Sequence, residues 1–192
     1  MSMASGTVSL LDRHLPAWHF REVHERRIDA SPERVWDALL VLTPRATPFG
    51  GSMLALRLAP AALAARRWPL PPNRKWLDLF VEFGFVELGR SDSEVALGAV
   101  GRFWRPIERL EPLPDAAAFD TFDEPGFAKG AMNFHVAGDA GSVTLTTETR
   151  VVGTDDRARR SFRPYWVPVR AIGGLMRREM LAAVARRAAG AK

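Results

Sequence analysis

The chain has 192 residues, a formal net charge of +5 and no cysteine. This length suits one domain with its own apolar core, and the lack of cysteine excludes disulfide bonds, thiolate catalysis and zinc-thiolate sites. The longest apolar run, residues 58–65, is too short for a membrane-spanning helix, and the N-terminus lacks a signal-peptide pattern, so we expect a cytoplasmic protein without a transmembrane segment.

The first third of the chain predicts a strand and then a helix. Residues 1–17 are weakly patterned, and we expect a poorly fixed leader with at most one short helix or an arm laid against the body. Residues 18–29 have the composition of a strand with one wet face. Ser31, Pro32 and Glu33 then supply a capping hydroxyl, a proline at the first helical position and an acid in the first turn, which predicts a helix that ends before Pro44.

Residues 45–75 are the least regular part of the chain. Two adjacent glycines, scattered leucines and a proline-rich breaker at residues 69–72 predict one or two short helices and a stiff loop. Two interpretations remain open for this insertion: a mobile flap over a cavity, or a packed irregular helical segment.

The middle of the chain predicts antiparallel strands. Residues 77–85 alternate with one wholly apolar face, which is the period of a strand, and residues 95–104 return as a second strand. Residues 127–137 and 142–152 are expected to form a hairpin around the turn at residues 138–141.

The last forty residues predict one long amphipathic helix that begins at an N-cap on Thr154 and continues to Gly190. Pro164 and Pro168 predict a bend near residues 163–169. Apolar residues at helical spacing form one buried stripe, and six arginines are expected to lie away from it. The stripe comprises Phe162, Trp166, Val169, Gly173, Met176, Met180 and Val184, and the arginines are Arg159, Arg160, Arg163, Arg170, Arg177 and Arg178.

The positive charge is concentrated in this helix, since residues 150–192 hold eleven basic and three acidic side chains. Such a face is either an ordinary solvated surface or a surface for an anionic membrane, a nucleic acid or an acidic partner. We favour the solvated surface and expect no nucleic acid partner.

Standard catalytic and metal-binding signatures do not occur in the sequence. His19 and His24 lie on opposite faces of their strand and cannot share a metal ion, and no cofactor is expected. His135 is expected to face solvent. Glu148 and Arg150 lie two apart on one strand face, where they form either a surface ion pair or a polar pair in a pocket.

The order of the elements, with four sequence motifs, resembles the SRPBCC or START-like superfamily of helix-grip proteins, which includes polyketide cyclases and lipid-transfer domains. The motifs are DASPERVWDAL at residues 29–39, GAVGRFW at 98–104, TLTTETRV at 144–151 and GGLMRREMLAAVARRA at 173–188. The resemblance covers about residues 18–188. It implies an α+β helix-grip fold over residues 1–192, in which a curved antiparallel β-sheet wraps around the long C-terminal α-helix.

The resemblance also implies a cavity between the sheet and the helix that holds a hydrophobic small molecule. Candidate ligand contacts are aromatic, thioether and small residues, which core packing alone also explains. They are Trp104, Met132, Phe134, Trp166, Val169, Gly173, Met176 and Met180. For Gly173 two readings stay open: a kink or close packing of the helix on the sheet, or room for a ligand.

Three function classes remain. The first is a non-enzymatic carrier of a lipid-like or polyketide-like ligand. The second is a cyclase or dehydratase, which a buried acid or histidine inside the cavity would favour. The third is an interaction module that makes weak contact with a membrane surface through its basic helix face.

Overall fold

The computed structural model describes residues 8–65, 73–105 and 110–190, and of residues 57–65 only the backbone. The strands are β1 (Phe20–Ile28), β2 (Val86–Arg90), β3 (Glu94–Gly101), β4 (Ala128–Asp139) and β5 (Ser142–Gly153). The helices are α1 (Leu10–His14), α2 (Pro32–Leu40), α3 (Pro48–Ala65), α4 (Trp76–Glu82), α5 (Ala116–Thr121) and α6 (Asp156–Ala188).

The strands form one antiparallel sheet in the order β1-β5-β4-β3-β2, and α6 packs across one face of it. We call the face covered by α6 the inner face and the opposite one the outer face. This arrangement confirms the predicted fold class, because an antiparallel sheet grips a C-terminal helix of 33 residues. The predicted hairpin is also confirmed, since β4 and β5 pair from Ala128 with Gly153 to Asp139 with Ser142.

The core on the inner face lies under the second half of α6. Met180, Leu181 and Val184 are almost fully buried there, together with Val35 and Leu39 of α2. Ser31 caps α2 by accepting a hydrogen bond from the Arg34 backbone, as predicted. The first half of α6 packs differently, through an aromatic cluster in which Phe162 contacts the rings of Phe20, Phe103, Trp104, Tyr165 and Trp166.

The N-terminal segment covers the outer face, so the expectation of a poorly fixed leader is wrong for residues 8–17; residues 1–7 lie outside the described part. Leu11 and Leu15 are buried in a second core cluster with Phe119. Glu94 accepts hydrogen bonds from the Ser9 hydroxyl at 2.8 Å and from the Leu10 backbone at 3.0 Å. Apolar burial and a buried carboxylate therefore hold this segment in place.

The predicted strand at residues 77–85 is wrong. Residues 76–82 form α4, and the strand β2 begins at Val86. Trp76, Leu79, Phe80 and Phe83 lie three and four residues apart, so helical spacing fits as well as alternation does, and Trp76 and Leu79 become buried side chains. Gly84 ends the helix in a left-handed conformation with φ of 96°, which explains the glycine there.

The insertion at residues 45–75 contains one helix of 18 residues, α3, instead of one or two short ones; residues 66–72 lie outside the described part. The Glu179 carboxylate of α6 accepts hydrogen bonds from the Phe49 backbone at 2.9 Å and the Gly50 backbone at 2.8 Å. The first turn of α3 is therefore joined to α6, which favours a packed segment over a flap at this end.

The long helix begins one residue later than predicted. Asp155 is its N-cap and accepts a hydrogen bond from the Ala158 backbone at 2.6 Å, whereas the Thr154 hydroxyl donates to the Phe127 carbonyl at 3.0 Å. The helix continues through Pro164 and Pro168.

In the described part of the chain, no helix combines the length and apolar character that crossing a membrane requires. The cytoplasmic location stays a prediction.

Candidate functional site

On the inner face, polar side chains lie between the aromatic cluster and the core under the second half of α6. The strand register places Glu22 of β1 opposite Thr149 of β5, and His24 opposite Thr147. Thr149 in turn lies opposite Met132 of β4. Directly paired residues point to the same face of a sheet, so these side chains form one patch beneath the middle of α6. We call Glu22, His24, Thr147, Thr149 and Arg177 the inner polar site.

Arg177 brings a cation from α6 into this patch. Its Nη1 atom lies 3.4 Å from the Thr147 hydroxyl and 3.7 Å from the Met132 sulfur. It forms no salt bridge with any described residue. Burial lowers the pKa of Arg177 to about 10, and the charge of Glu22 opposes this shift only in part. The guanidinium is therefore partly buried without a carboxylate bound to it, which is a costly state for a cation.

Glu22 and His24 form a hydrogen-bonded pair at the β1 side of the same patch. The His24 Nε2 atom lies 2.8 Å from the Glu22 Oε1 atom, and the two side chains are only 9% and 11% exposed. Gly174 of α6 lies against both of them. An acid and an imidazole held in this way can position or transfer a proton, so the site is not wholly apolar.

The Thr149 hydroxyl is buried and has no hydrogen-bond partner among the residues that the structure describes. An unpaired buried hydroxyl costs about 1 to 3 kcal/mol relative to a paired one. It can donate or accept one hydrogen bond, and it lies next to the Thr147 and Met132 side chains that Arg177 contacts. The site thus holds unused hydrogen-bonding capacity from one strand, β5, and from α6.

Open space adjoins this patch at Gly173. A Cβ atom built on Gly173 would meet no heavy atom within 4 Å, although the residue is partly buried. One residue later, a Cβ atom on Gly174 would lie 2.9 Å from the Glu22 carboxylate. Gly173 precedes Arg177 by one helical turn, so the open space lies beside the guanidinium. Of the two readings of Gly173, close packing on the sheet is wrong.

The structure divides the eight predicted ligand contacts into four groups, and their role as contacts stays a prediction. Phe134 and Met180 are almost fully buried in the core. Trp104 and Trp166 belong to the aromatic cluster. Met176 packs against α3, where its Cγ atom lies 2.8 Å from a Cβ atom built on Gly50. Near the inner polar site lie Met132 and Gly173, with the partly buried Val169 one turn before Gly173.

The sequence analysis missed the inner polar site. It placed Arg177 away from the buried stripe, but Arg177 follows Gly173 by four residues and precedes Met180 by three, which is the spacing of the stripe itself. Glu22 and His24 share the parity of Phe20 and Ile28, the two apolar ends of β1. These spacings could have shown that all three side chains face inward.

The pair of Glu148 and Arg150 lies on the outer face and is not a surface ion pair as favoured. Arg150 is 4% exposed and donates to Glu148 at 2.6 Å and to the Leu15 carbonyl at 3.1 Å. It also pairs with Asp12 at 2.7 Å and stacks over the Trp18 ring. Its partners show that Arg150 holds the N-terminal segment on the sheet.

Two clefts of about 480 Å³ and 440 Å³ lie where α6 passes the free edge of β1. Basic side chains dominate both. The first is lined by Arg21, Glu22, Val23, His24, Arg170 and Arg178, and the second by His19, Phe20, Asp156, Arg159, Arg160 and Arg163. The first cleft includes Glu22 and His24, so the inner polar site borders solvent at this edge.

Among the described residues, no group of three or more His, Cys, Asp or Glu side chains has the geometry to hold a metal ion.

No family model and no curated protein matches the sequence. The Zhui aromatase/cyclase from Streptomyces sp. R1128 is similar in structure, with 16% sequence identity, a TM-score of 0.35 and coverage of 90% of this chain and 99% of the other. A protein of Thermus thermophilus has 11% identity, a TM-score of 0.33 and the same two coverages. Truncated norcoclaurine synthase from Thalictrum flavum has 11% identity, a TM-score of 0.29 and coverage of 87% of this chain and 91% of the other. Likenesses of this degree carry no argument about a ligand or an activity. The sheet and the gripped C-terminal helix show the fold by themselves: the chain has the helix-grip, SRPBCC-like fold that its sequence resembles.

Proposed function

We propose that this chain binds a small, mainly apolar molecule between the inner face of the sheet and the middle of α6. One observation carries the proposal. Gly173 is partly buried, yet a side chain there would meet open space, whereas the neighbouring glycine is packed against β1. A helix interior disfavours glycine by about 1 kcal/mol relative to alanine, so the missing side chain supports a role in leaving room for a ligand.

Leucine at Gly173 tests this proposal because it would occupy the open space. We expect the wild-type chain to bind the apolar dye Nile red, with increased dye fluorescence. Gly173→Leu should lose this binding while its melting temperature stays the same or rises, since no overpacking is expected. Ala171→Leu is the matched control, because it adds the same side chain to an exposed position of α6 and should bind the dye like the wild type.

The proposal is overturned if the wild-type chain binds no apolar probe, or if Gly173→Leu binds Nile red as well as the wild type does. A large loss of stability in Gly173→Leu would show instead that the leucine meets packed atoms at this position.

An enzyme of the cyclase or dehydratase type is the second candidate, and the Glu22 and His24 pair favours it. A histidine oriented by a carboxylate can act as a general base or acid towards a ligand in the adjoining space. The test is turnover of a poly-carbonyl substrate by the wild-type chain and by His24→Gln. Activity that survives this substitution unchanged would contradict the assignment.

A weak membrane-surface role is the third candidate, and the outward side of α6 favours it. Val167 and Leu175 are 69% and 52% exposed there, and Arg178 is exposed beside them. Exposed apolar side chains among arginines suit an anionic bilayer. Vesicles with and without phosphatidylserine test this role: binding of the anionic vesicles should weaken in Val167→Ser with Leu175→Ser, and equal binding to neutral vesicles would contradict it.

A further inference from the structure

In the inner polar site, one positive charge and one hydroxyl lack a matching partner among the described residues. Arg177 carries a partly buried positive charge, and its contacts with Thr147 and Met132 are 3.4 Å or longer. Glu22 is the nearby acid, but its Oε1 atom is engaged by His24 at 2.8 Å and makes no salt bridge with the guanidinium. An arginine can donate five hydrogen bonds, so most of this capacity remains unused.

Thr149 adds a second unused group on the sheet side. Its hydroxyl is buried and unpaired. It lies opposite Met132, whose sulfur contacts Arg177, and two residues from Thr147, whose hydroxyl does the same. A group placed between α6 and β5 at this level would therefore reach both the guanidinium and the hydroxyl.

The hydrogen-bonding properties of the Arg177 guanidinium and the Thr149 hydroxyl define which chemical group of a ligand they could bind. A guanidinium only donates hydrogen bonds, and a hydroxyl completes its bonding by donating one to an acceptor oxygen. A negatively charged acceptor would also compensate the buried cation, and a carboxylate matches the planar fork of arginine with two parallel hydrogen bonds. The buried Met132 and the open space at Gly173 supply the apolar part of the surroundings, whereas Glu22 and His24 lie on the β1 side.

From this geometry we infer that the ligand is an apolar carboxylic acid whose carboxylate is held by Arg177 and Thr149, with its apolar body in the space beside Gly173. This inference rests on the proposed function, because it assumes that a ligand occupies that space. It adds the chemical class of the ligand and the atoms that recognise it.

Decanoic acid and decanol test the inference, because they share an apolar chain and differ in the head group. Isothermal titration of the wild-type chain near neutral pH should give at least about tenfold tighter binding of the acid, since a hydrogen bond to a charged group contributes enough for such a factor. Arg177→Met should bind the acid no more tightly than decanol, and Thr149→Val should reduce the preference for the acid.

Two further variants serve as controls. Arg186→Met removes an exposed arginine of α6 that lies away from both clefts and should keep the full preference for the acid. Arg177→Lys keeps the charge without the planar fork and should keep part of the preference. This variant also covers the case in which the methionine variant fails to fold.

The outcomes separate this inference from the proposed function. If decanol and decanoic acid bind the wild-type chain equally, or if Arg177→Met keeps the preference, the carboxylate inference is overturned and the proposed function stands. If neither compound nor Nile red binds, both are overturned.

Discussion

The His24 imidazole and the Glu22 carboxylate, 2.8 Å apart, both lie directly against the backbone of Gly174. A Cβ atom on Gly174 would be 2.9 Å from the Glu22 Oε1 atom and 3.3 Å from the His24 ring, whereas one on Gly173 would contact nothing. Two adjacent glycines of one helix therefore have different reasons to lack a side chain.

Alanine substitutions should separate the two glycines. Gly173→Ala is expected to raise the free energy of unfolding by about 0.5 to 1 kcal/mol, because alanine favours the helix and meets no atom. Gly174→Ala should gain nothing or lose stability, because Glu22 and His24 would have to move. Chemical denaturation of both variants measures the difference, and equal gains would contradict the described contact.

Replacing Arg177 by methionine should stabilise the protein without ligand. The buried guanidinium has no salt bridge within the described chain, and replacing a poorly compensated buried charge with an apolar side chain of similar length can add about 1 to 3 kcal/mol. Denaturation at neutral pH measures this effect, with Arg178→Met as the exposed control that should change stability by less than about 0.5 kcal/mol. A strong loss of stability in Arg177→Met would show that the cation is compensated in the folded state.

Alkaline pH should reduce the destabilisation that the charge of Arg177 causes in the folded state. The pKa of Arg177 is lowered from its usual value to about 10, so above that pH the folded protein loses a proton that the unfolded chain still holds. The stability of the wild type should therefore rise relative to Arg177→Met between about pH 9 and about pH 11. The chain has one tyrosine and three lysines, so few other groups titrate in this range. A constant difference across this range would contradict the lowered pKa.

Glu179 should hold the start of α3 on α6. Its carboxylate accepts hydrogen bonds from the Phe49 and Gly50 backbones at a helix N-terminus, where negative charge is favourable. Glu179→Gln is expected to cost about 1 to 2 kcal/mol and to speed hydrogen exchange at these two amides. Arg178→Gln is the control on the neighbouring exposed position. Unchanged exchange at Phe49 and Gly50 would show that the carboxylate does not fix this turn.

Arg150 and Arg21 both bond to Glu148 but should differ in importance. Arg150 is buried and also holds Leu15 and Asp12, so Arg150→Met should cost about 3 kcal/mol or more and release residues 8–17 to proteolysis. The Arg21 side chain is 46% exposed, so Arg21→Met should cost less than about 1 kcal/mol. Similar losses in the two variants would contradict the role of Arg150 as the anchor of the N-terminal segment.

Regular patterning allowed part of the fold to be predicted. The capping residues at Ser31 and Pro32, the alternation in the β4 and β5 hairpin and the long helical stripe are local signals, and the structure agrees with them. The prediction for residues 77–85 was wrong because the apolar residues there fit both the alternation of a strand and, together with Trp76, the three-and-four spacing of a helix, so local spacing alone cannot decide between them. Packing of Trp76 and Leu79 into the core decides for the helix.

The candidate site depended far more on tertiary structure. The sequence by itself determined the capped helix α2, the β4 and β5 hairpin and a long helix with one buried side, because hydrophobic periodicity and capping act within a few residues, and the resemblance to helix-grip proteins indicated the class of fold. The three-dimensional arrangement decided that Arg177 points inward, that it meets Thr147 of a distant strand, and that Gly173 faces open space while Gly174 is packed. Such relations depend on the rotation of the helix over the sheet and on the strand register, which only the packing of the whole chain determines.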